Sequence, residues 1–167
     1  MNENYIVING KKIELTEEQL KQLGIEPEKK RNNPFDRVPT SEVYSSIAGD
    51  SIESYCERGD TLDNELFATA NYFNEEAFAQ QVYLHQLLYR KLLKFAYENE
   101  CEDTAEWNGE NAHWNIICAM DTKDFVVCSH YNSKEQCCVY FSSDEAAKRA
   151  GREVVEPFMK EYPEFVW

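Results

Sequence analysis

The chain contains the same strand-to-helix junction twice, and this repeat constrains its fold more than any other feature. Residues 70–82 read ANYFNEEAFAQQV and residues 138–150 read CVYFSSDEAAKRA. In both, a Tyr-Phe pair and polar residues precede acids and alanine, which is typical of a strand that ends where a helix begins. The copies align when one serine is inserted in the second, so the sequence predicts an internal structural repeat.

The residues of the first junction have a structural interpretation rather than a catalytic one. We expect Tyr72 and Phe73 to lie in the core and Asn74 to cap the following helix. Glu75 and Glu76 then occupy its first turn, where carboxylates interact favourably with the helix dipole.

The elements around the first junction are a hairpin, a loop, a strand and a helix. EVYSSI and SIESYC flank a turn at residues 48–50, residues 58–64 read as a loop, and LFATANYF is predicted to be a third strand. The helix then runs to about Glu98. Its predicted apolar face consists of Ala77, Leu84, Leu87, Leu88, Leu92 and Phe95.

The second copy follows the same order. HWNIICAM, FVVCSHYN and QCCVYF are predicted to be three strands. Ser142 caps the last helix and Glu145 completes a capping box. This helix is expected to reach Val155, because Pro157 limits or kinks it.

A small element precedes the repeats. YIVINGKKIEL predicts a hairpin that turns at Asn9-Gly10, and Thr16 with Gln19 predicts a capping box for a short helix that Gly24 ends. We therefore predict an α+β fold: two antiparallel-sheet-plus-helix repeats (β-β-β-α twice) behind a small N-terminal β-hairpin and helix. The predicted segments are 1–31, 32–111 with the first repeat and an acidic loop, and 112–167 with the second repeat and the tail.

The charge is strongly negative and unevenly placed. The formal net charge is −14, and residues 38–110 carry fifteen acids against four bases. Such a surface repels nucleic acid and acidic membranes and attracts basic proteins, although solubility alone would also explain it. The start of the chain lacks a basic segment followed by an apolar run, and no stretch approaches the roughly 20 apolar residues of a membrane span. The sequence thus predicts a cytoplasmic protein.

The acids concentrate in and around CEDTAEWNGEN, residues 101–111, which also contains a tryptophan. An acidic face of this type can imitate a phosphate backbone and occupy a basic nucleic-acid channel, with the aromatic side chain as an anchor. A solvated loop with the tryptophan folded into the core is the alternative. The predicted partner-binding surface comprises Glu53, Glu57, Asp60, Asp63, Glu98, Glu100, Glu102, Asp103, Glu106, Trp107 and Glu110.

Other chemistry has weaker support. The six cysteines include no C-x-x-C pair, and we expect most of them to be reduced, small buried hydrophobes. No phosphate-binding glycine loop occurs, and the three histidines show no nucleophile signature. We therefore expect no enzyme activity, no metal and no cofactor. A basic island on the long helix consists of Arg90, Lys91 and Lys94. Either these cations are there because positive charge is favourable in the C-terminal half of a helix, or they meet an acidic patch on a partner or a second protomer.

Several motifs together resemble a family of small prophage proteins of Gram-positive bacteria. They are NPFDRV (residues 33–38), ANYFNEEAFA, the helix end KLLKFAYEN, Trp107 in an acidic loop, and YFSSDEA (residues 140–146). The resemblance covers roughly residues 32–156. Members usually have glycine where this chain has Ala70, which puts a tight backbone turn at that position in question.

The resemblance implies a phage or prophage origin and an accessory role in the bacterial host cell. Proteins of that kind are often modulators of host machinery, including inhibitors of CRISPR and other defence systems. The leading hypothesis is therefore an accessory protein that binds and inhibits a host nucleic-acid-handling or defence protein with a basic surface or channel. The alternatives are a small-ligand binder, such as a sponge for nucleotide signals, and a phage structural or assembly protein.

Overall fold

The computed structural model describes residues 5–8, 11–14, 16, 19, 33–119 and 124–167. The chain divides into two compact units, residues 1–33 and residues 34–167. Among the described residues, no helix combines the length and the apolar character that a membrane crossing requires.

The N-terminal unit contains an antiparallel strand pair. β1 (Tyr5–Ile8) pairs with β2 (Lys11–Glu14), with Tyr5 opposite Glu14. The Thr16–Gln19 capping box is confirmed, because Gln19 N–H donates to Thr16 Oγ1 (3.4 Å) and Thr16 N–H donates to Gln19 Oε1 (2.9 Å). The predicted turn at Asn9-Gly10 and the predicted helix end at Gly24 lie outside the described residues.

The first predicted hairpin of the larger unit is confirmed. β3 (Val43–Ala48) pairs antiparallel with β4 (Ser51–Cys56), and the turn between them places Gly49 at φ +65°. A left-handed turn position is tolerated best by glycine.

The predicted loop at 58–64 and the predicted third strand at 66–73 are largely wrong, because α1 (Thr61–Ala68) occupies the end of the loop and the start of the strand, and Phe73 forms an isolated bridge. The helix starts with a reciprocal capping box, in which Asp63 N–H donates to Asp60 Oδ1 (3.1 Å) and Asp60 N–H donates to Asp63 Oδ2 (3.2 Å). The capping-box signal is present in the sequence as DTLD, residues 60–63. It starts a helix in a segment whose aromatic residues had suggested a strand.

The long helix α2 (Glu76–Glu98) is confirmed as the central element. Leu84, Leu88, Leu92 and Phe95 are buried on one face as predicted, whereas Ala77 is exposed. The predicted Asn74 cap is wrong, since Glu75 holds the N-cap position, and its side chain makes no capping hydrogen bond. Asn74 instead donates its amide to the Asp36 carbonyl oxygen (3.0 Å).

The second hairpin is also confirmed, with β5 (His113–Cys118) paired antiparallel to β6 (Phe125–His130). The predicted third strand at residues 136–141 is wrong. The phenylalanine of each junction instead forms isolated bridges: Phe73 with Ser45 through two backbone hydrogen bonds (2.8 and 2.9 Å), and Phe141 with Trp114 (2.7 and 3.4 Å) and also with Glu102. The described sheets therefore have two strands each, and the repeated motif supplies a bridge rather than a strand.

The last helix departs from its prediction at both ends. α3 (Asp144–Ala150) is capped by Ser143, whose Oγ accepts the Ala146 N–H (3.1 Å), and not by a Ser142–Glu145 box. The helical path continues through a π-helical turn (Gly151–Val155) into α4 (Glu156–Glu161). Pro157 lies in the first turn of α4, where its missing N–H is tolerated.

Two helices end in Schellman motifs without glycine. After α1, Ala70 has φ +55°, Ala70 N–H donates to Phe67 O (3.2 Å) and Asn71 N–H donates to Leu66 O (2.9 Å). After α2, Glu100 has φ +51°, with equivalent bonds from Glu100 N–H to Tyr97 O (3.3 Å) and from Cys101 N–H to Ala96 O (2.9 Å). The tight turn at position 70 is thus present, made by alanine.

The core of the larger unit gathers around α2. Leu84 and Phe95 on this helix pack in one cluster with Phe141, Ala147 and Phe158, and so both hairpins and the last helix cover a common apolar centre. Tyr72 and Phe73 are buried as predicted, each 1% exposed. The prediction for the cysteines is wrong, since Cys101 alone is buried and Cys56 and Cys137 are exposed.

Candidate functional site

The motifs that carry the family resemblance interlock structurally. Arg37 of NPFDRV donates two hydrogen bonds to the Glu57 carboxylate, both 2.9 Å, and Val38 N–H donates to the Tyr72 hydroxyl oxygen (3.1 Å). Phe35 packs against Phe73, with ring centroids 5.4 Å apart. NPFDRV and the NYF junction therefore hold each other in place.

Glu57 and Asp63 do not belong to an accessible acidic surface. They are 3% and 2% exposed. Glu57 accepts hydrogen bonds from Arg37, from the Tyr72 hydroxyl (2.8 Å) and from Gly59 N–H (2.7 Å), and the guanidinium is the main reason that the pKa of this carboxyl is lowered. Contrary to the prediction, these two carboxylates are not available to a partner, because they are buried and accept internal hydrogen bonds.

The Asp63 carboxylate is held in the same manner. It accepts the Tyr44 hydroxyl (2.7 Å) and the Arg58 N–H (2.8 Å), and the tyrosine hydrogen bond is the main cause that lowers the pKa of Asp63 to about 2. Burial raises the pKa of Tyr72 to about 12. The rings of Tyr44 and Tyr72 stack with centroids 3.9 Å apart. The hydrogen bonds of Glu57 and Asp63 therefore hold the first hairpin, the start of α1 and the NYF junction together.

Residues 101–111 form a loop, as predicted, and backbone hydrogen bonds hold its N-terminal side. Asp103 N–H donates to Tyr140 O (3.1 Å), and Ser142 N–H donates to Cys101 O (3.0 Å). At the tip, Asn108 Oδ1 accepts the Glu110 N–H (2.9 Å), while the Asn111 amide donates to Glu106 O (2.9 Å). The loop is therefore attached to the second junction and closed by its own asparagines.

A buried histidine supports this loop from beneath. His113 is 0% exposed, its Nδ1 lies 2.7 Å from Asp103 Oδ2, and the Trp107 ring stacks on it at 3.6 Å with a 7° interplanar angle. Tyr140 meets Trp107 edge-on at 5.1 Å. Trp107 is half-buried, which lies between its two predicted placements, an exposed anchor and a core residue.

The remaining predicted acids have different surroundings. Glu98 pairs with Lys94 one helical turn away, Asp60 caps α1, Asp103 contacts His113, and Glu102 is half-buried beside the Phe141 bridge. Glu53 is exposed on β4, and its carboxylate accepts the Tyr55 hydroxyl (2.5 Å). Three acids of the loop region remain exposed without an ion-pair partner among the described residues: Glu100, Glu106 and Glu110.

The predicted basic island is partly neutralised. Lys91 lies 3.9 Å from Glu161, and Lys94 pairs with Glu98. Both lysines border a groove of about 260 Å³ between α2 and α4, floored by Phe95 and Phe158. Each cation on this groove therefore has a carboxylate neighbour.

Among the described residues, no three His, Cys, Asp or Glu side chains could hold a metal ion. Burial and a hydrogen bond to Glu135 raise the pKa of the Cys138 thiol, which is the opposite of an activated nucleophile. The His130 Nε2 lies 3.1 Å from Asn115 Oδ1.

Sequence reasoning located the acidic loop but not its support. Tyr140 and Ser142 of the second junction lie far along the chain from the loop, whereas His113 follows the loop closely, at the start of β5. Comparison with family models, with curated proteins and with solved structures finds no significant match.

Proposed function

We propose that this chain is a non-enzymatic accessory protein that binds a basic partner protein through the acidic loop of residues 101–111 and the adjacent Glu100. The observation that carries the proposal is the contrast between the hydrogen-bonded backbone of the loop and the exposed carboxylates of Glu100, Glu106 and Glu110, which form no ion pair with the described residues. A preorganised charged loop loses little conformational entropy on binding, so its charges act on the partner at small cost.

The charge of the whole chain supports an electrostatic mode of binding. A formal net charge of −14 favours encounter with positively charged surfaces and disfavours nucleic acid. The resemblance to prophage accessory proteins directs the proposal towards a host nucleic-acid-handling or defence protein, whose basic channel would accept acids in place of phosphates.

The two alternatives have less support. A nucleotide-signal binder needs unpaired cations at a pocket, and Lys91 and Lys94 at the groove each have an acid nearby. An assembly role would leave the exposed, rigid acidic loop without an explanation.

The direct test is affinity capture from bacterial lysate with a loop variant and a charge-matched control. The loop variant is Glu100→Gln/Glu106→Gln/Glu110→Gln, and the control is Glu42→Gln/Glu65→Gln/Glu156→Gln, which neutralises three exposed acids elsewhere. We expect the wild type and the control to retain a basic partner and the loop variant to lose it. Equal capture by all three proteins would refute the proposal.

A further inference from the structure

Lys134 places its ammonium against two aromatic rings of its own chain. Its Nζ lies 5.9 Å from the ring centroid of Trp107 and 5.9 Å from that of Tyr140. The two rings are nearly perpendicular, at 87°, with centroids 5.1 Å apart. We call this pair the aromatic corner; each ring attracts a cation through its quadrupole.

The aromatic corner is held together without Lys134. Trp107 stacks on the buried His113, and Asp103 Oδ2 lies 2.7 Å from Nδ1 of that imidazole. The Tyr140 hydroxyl accepts the Glu135 N–H (2.8 Å), and the His130 ring packs against Tyr140 at 5.9 Å. The rings are therefore positioned by groups beneath and beside them.

Lys134 itself is poorly anchored. It is exposed, and among the described residues no carboxylate forms an ion pair with it. The Lys134 ammonium lies at the outer limit of cation–π range from both rings, so another cation can replace it at small cost in free energy. The acids Glu106 and Glu135 neighbour the corner in sequence, so an incoming cation also meets negative charge.

We propose that the aromatic corner is a recognition site for a lysine or arginine side chain of the basic partner, and that Lys134 is a self-ligand that this side chain displaces. The inference rests on the proposed function and specifies its chemistry: the acidic loop attracts the partner, and the corner receives one of its cationic side chains.

The test is an NMR titration of the indole N–H signals with a tetra-lysine peptide, with a tetra-glutamine peptide as neutral control. The chain has three tryptophans, and Trp107→Phe identifies the Trp107 signal. Lys134→Gln removes the self-ligand, and Lys160→Gln makes the same charge change at an exposed site on α4.

We expect tetra-lysine to shift the Trp107 signal and to bind Lys134→Gln about two- to fivefold more tightly than Lys160→Gln, the value of one exposed cation–π contact. Tetra-glutamine should leave the signal in place. Equal affinity for the two variants, or an equal shift by the neutral peptide, would overturn the inference.

The result is separable from that for the proposed function. If the acidic-loop variant loses the partner while Lys134→Gln matches Lys160→Gln, the inference about the corner alone fails. If the acidic-loop variant retains the partner, the proposed function fails, and the indole titration still decides whether the corner binds a cation.

Discussion

Replacing Ala70 by glycine should stabilise the protein, because this residue closes a Schellman motif in the left-handed conformation. Ala70 has φ +55°, and the two cap bonds are donated by the N–H groups of Ala70 and Asn71. An L-residue with a Cβ pays roughly 1–2 kcal/mol in this region. Glycine avoids that cost but loses about 0.5–1 kcal/mol more backbone entropy on folding.

The difference between these terms gives the expected gain for Ala70→Gly, about 0.5–1 kcal/mol in the free energy of unfolding. For a chain of this size, that gain raises Tm by roughly 1–4 °C. Glu100→Gly should give a similar gain at the end of α2, since Glu100 has φ +51°. The two helix ends share no bonding partner, so the double variant should show the sum.

The assay is urea denaturation followed by far-UV circular dichroism and tryptophan fluorescence. A shift of the midpoint at constant slope reports a change in stability. Two controls separate the causes: Ala68→Gly introduces glycine at an exposed helical position and should destabilise by about 0.5–1 kcal/mol, while Glu100→Gln removes the charge and keeps the strained backbone. If Ala70→Gly destabilises as Ala68→Gly does, or if Glu100→Gln stabilises as much as Glu100→Gly, the backbone argument is refuted.

Three further predictions concern the packing and ionisation of the larger unit. Gly151→Ala should destabilise by about 1–3 kcal/mol, because an added Cβ would overlap the Phe125 ring, and Phe125→Leu in the same chain should recover part of the loss in a denaturation experiment. Ser143→Ala should cost about 1 kcal/mol by the same measurement, whereas Ser142→Ala should change little, because Ser143 alone caps α3. Because the pKa of Asp63 is lowered from 3.8 to about 2 in the folded protein, this carboxylate should stabilise the fold at pH values above 3.8, and the stabilisation should be lost as the pH falls towards about 2. Tyr44→Phe should flatten this acid dependence in unfolding curves measured at a series of pH values, and an unchanged dependence would contradict the assigned hydrogen bond.

The repeated junction shows how far local pattern reasoning extends in this chain. It identified both hairpins, α2, and the burial of Tyr72 and Phe73, because these features depend on turn residues and on apolar periodicity. It failed at the third strands, since a single bridging residue and a full strand have the same local sequence. Whether Phe73 and Phe141 begin a strand depends on what lies beside them in space.

The candidate site shows the same division. The sequence located the acidic loop, because its composition is local. It assigned Glu57 and Asp63 to the surface, although Arg37 and Tyr44 bind them, because those partners are about twenty residues away along the chain. His113, which supports Trp107, carried no signal in its immediate neighbours that would distinguish it from a packed strand residue.

The measurement that tests the central claim most directly is the association rate constant of the captured partner as a function of ionic strength. The Debye length falls from about 30 Å at 0.01 M salt to about 8 Å at 0.15 M. Binding steered by the acidic loop should therefore associate much more slowly at the higher salt, and Glu100→Gln/Glu106→Gln/Glu110→Gln should lower the rate at low salt far more than the control triple variant does. A rate constant that is independent of salt, and equal for the two triple variants, would contradict the account.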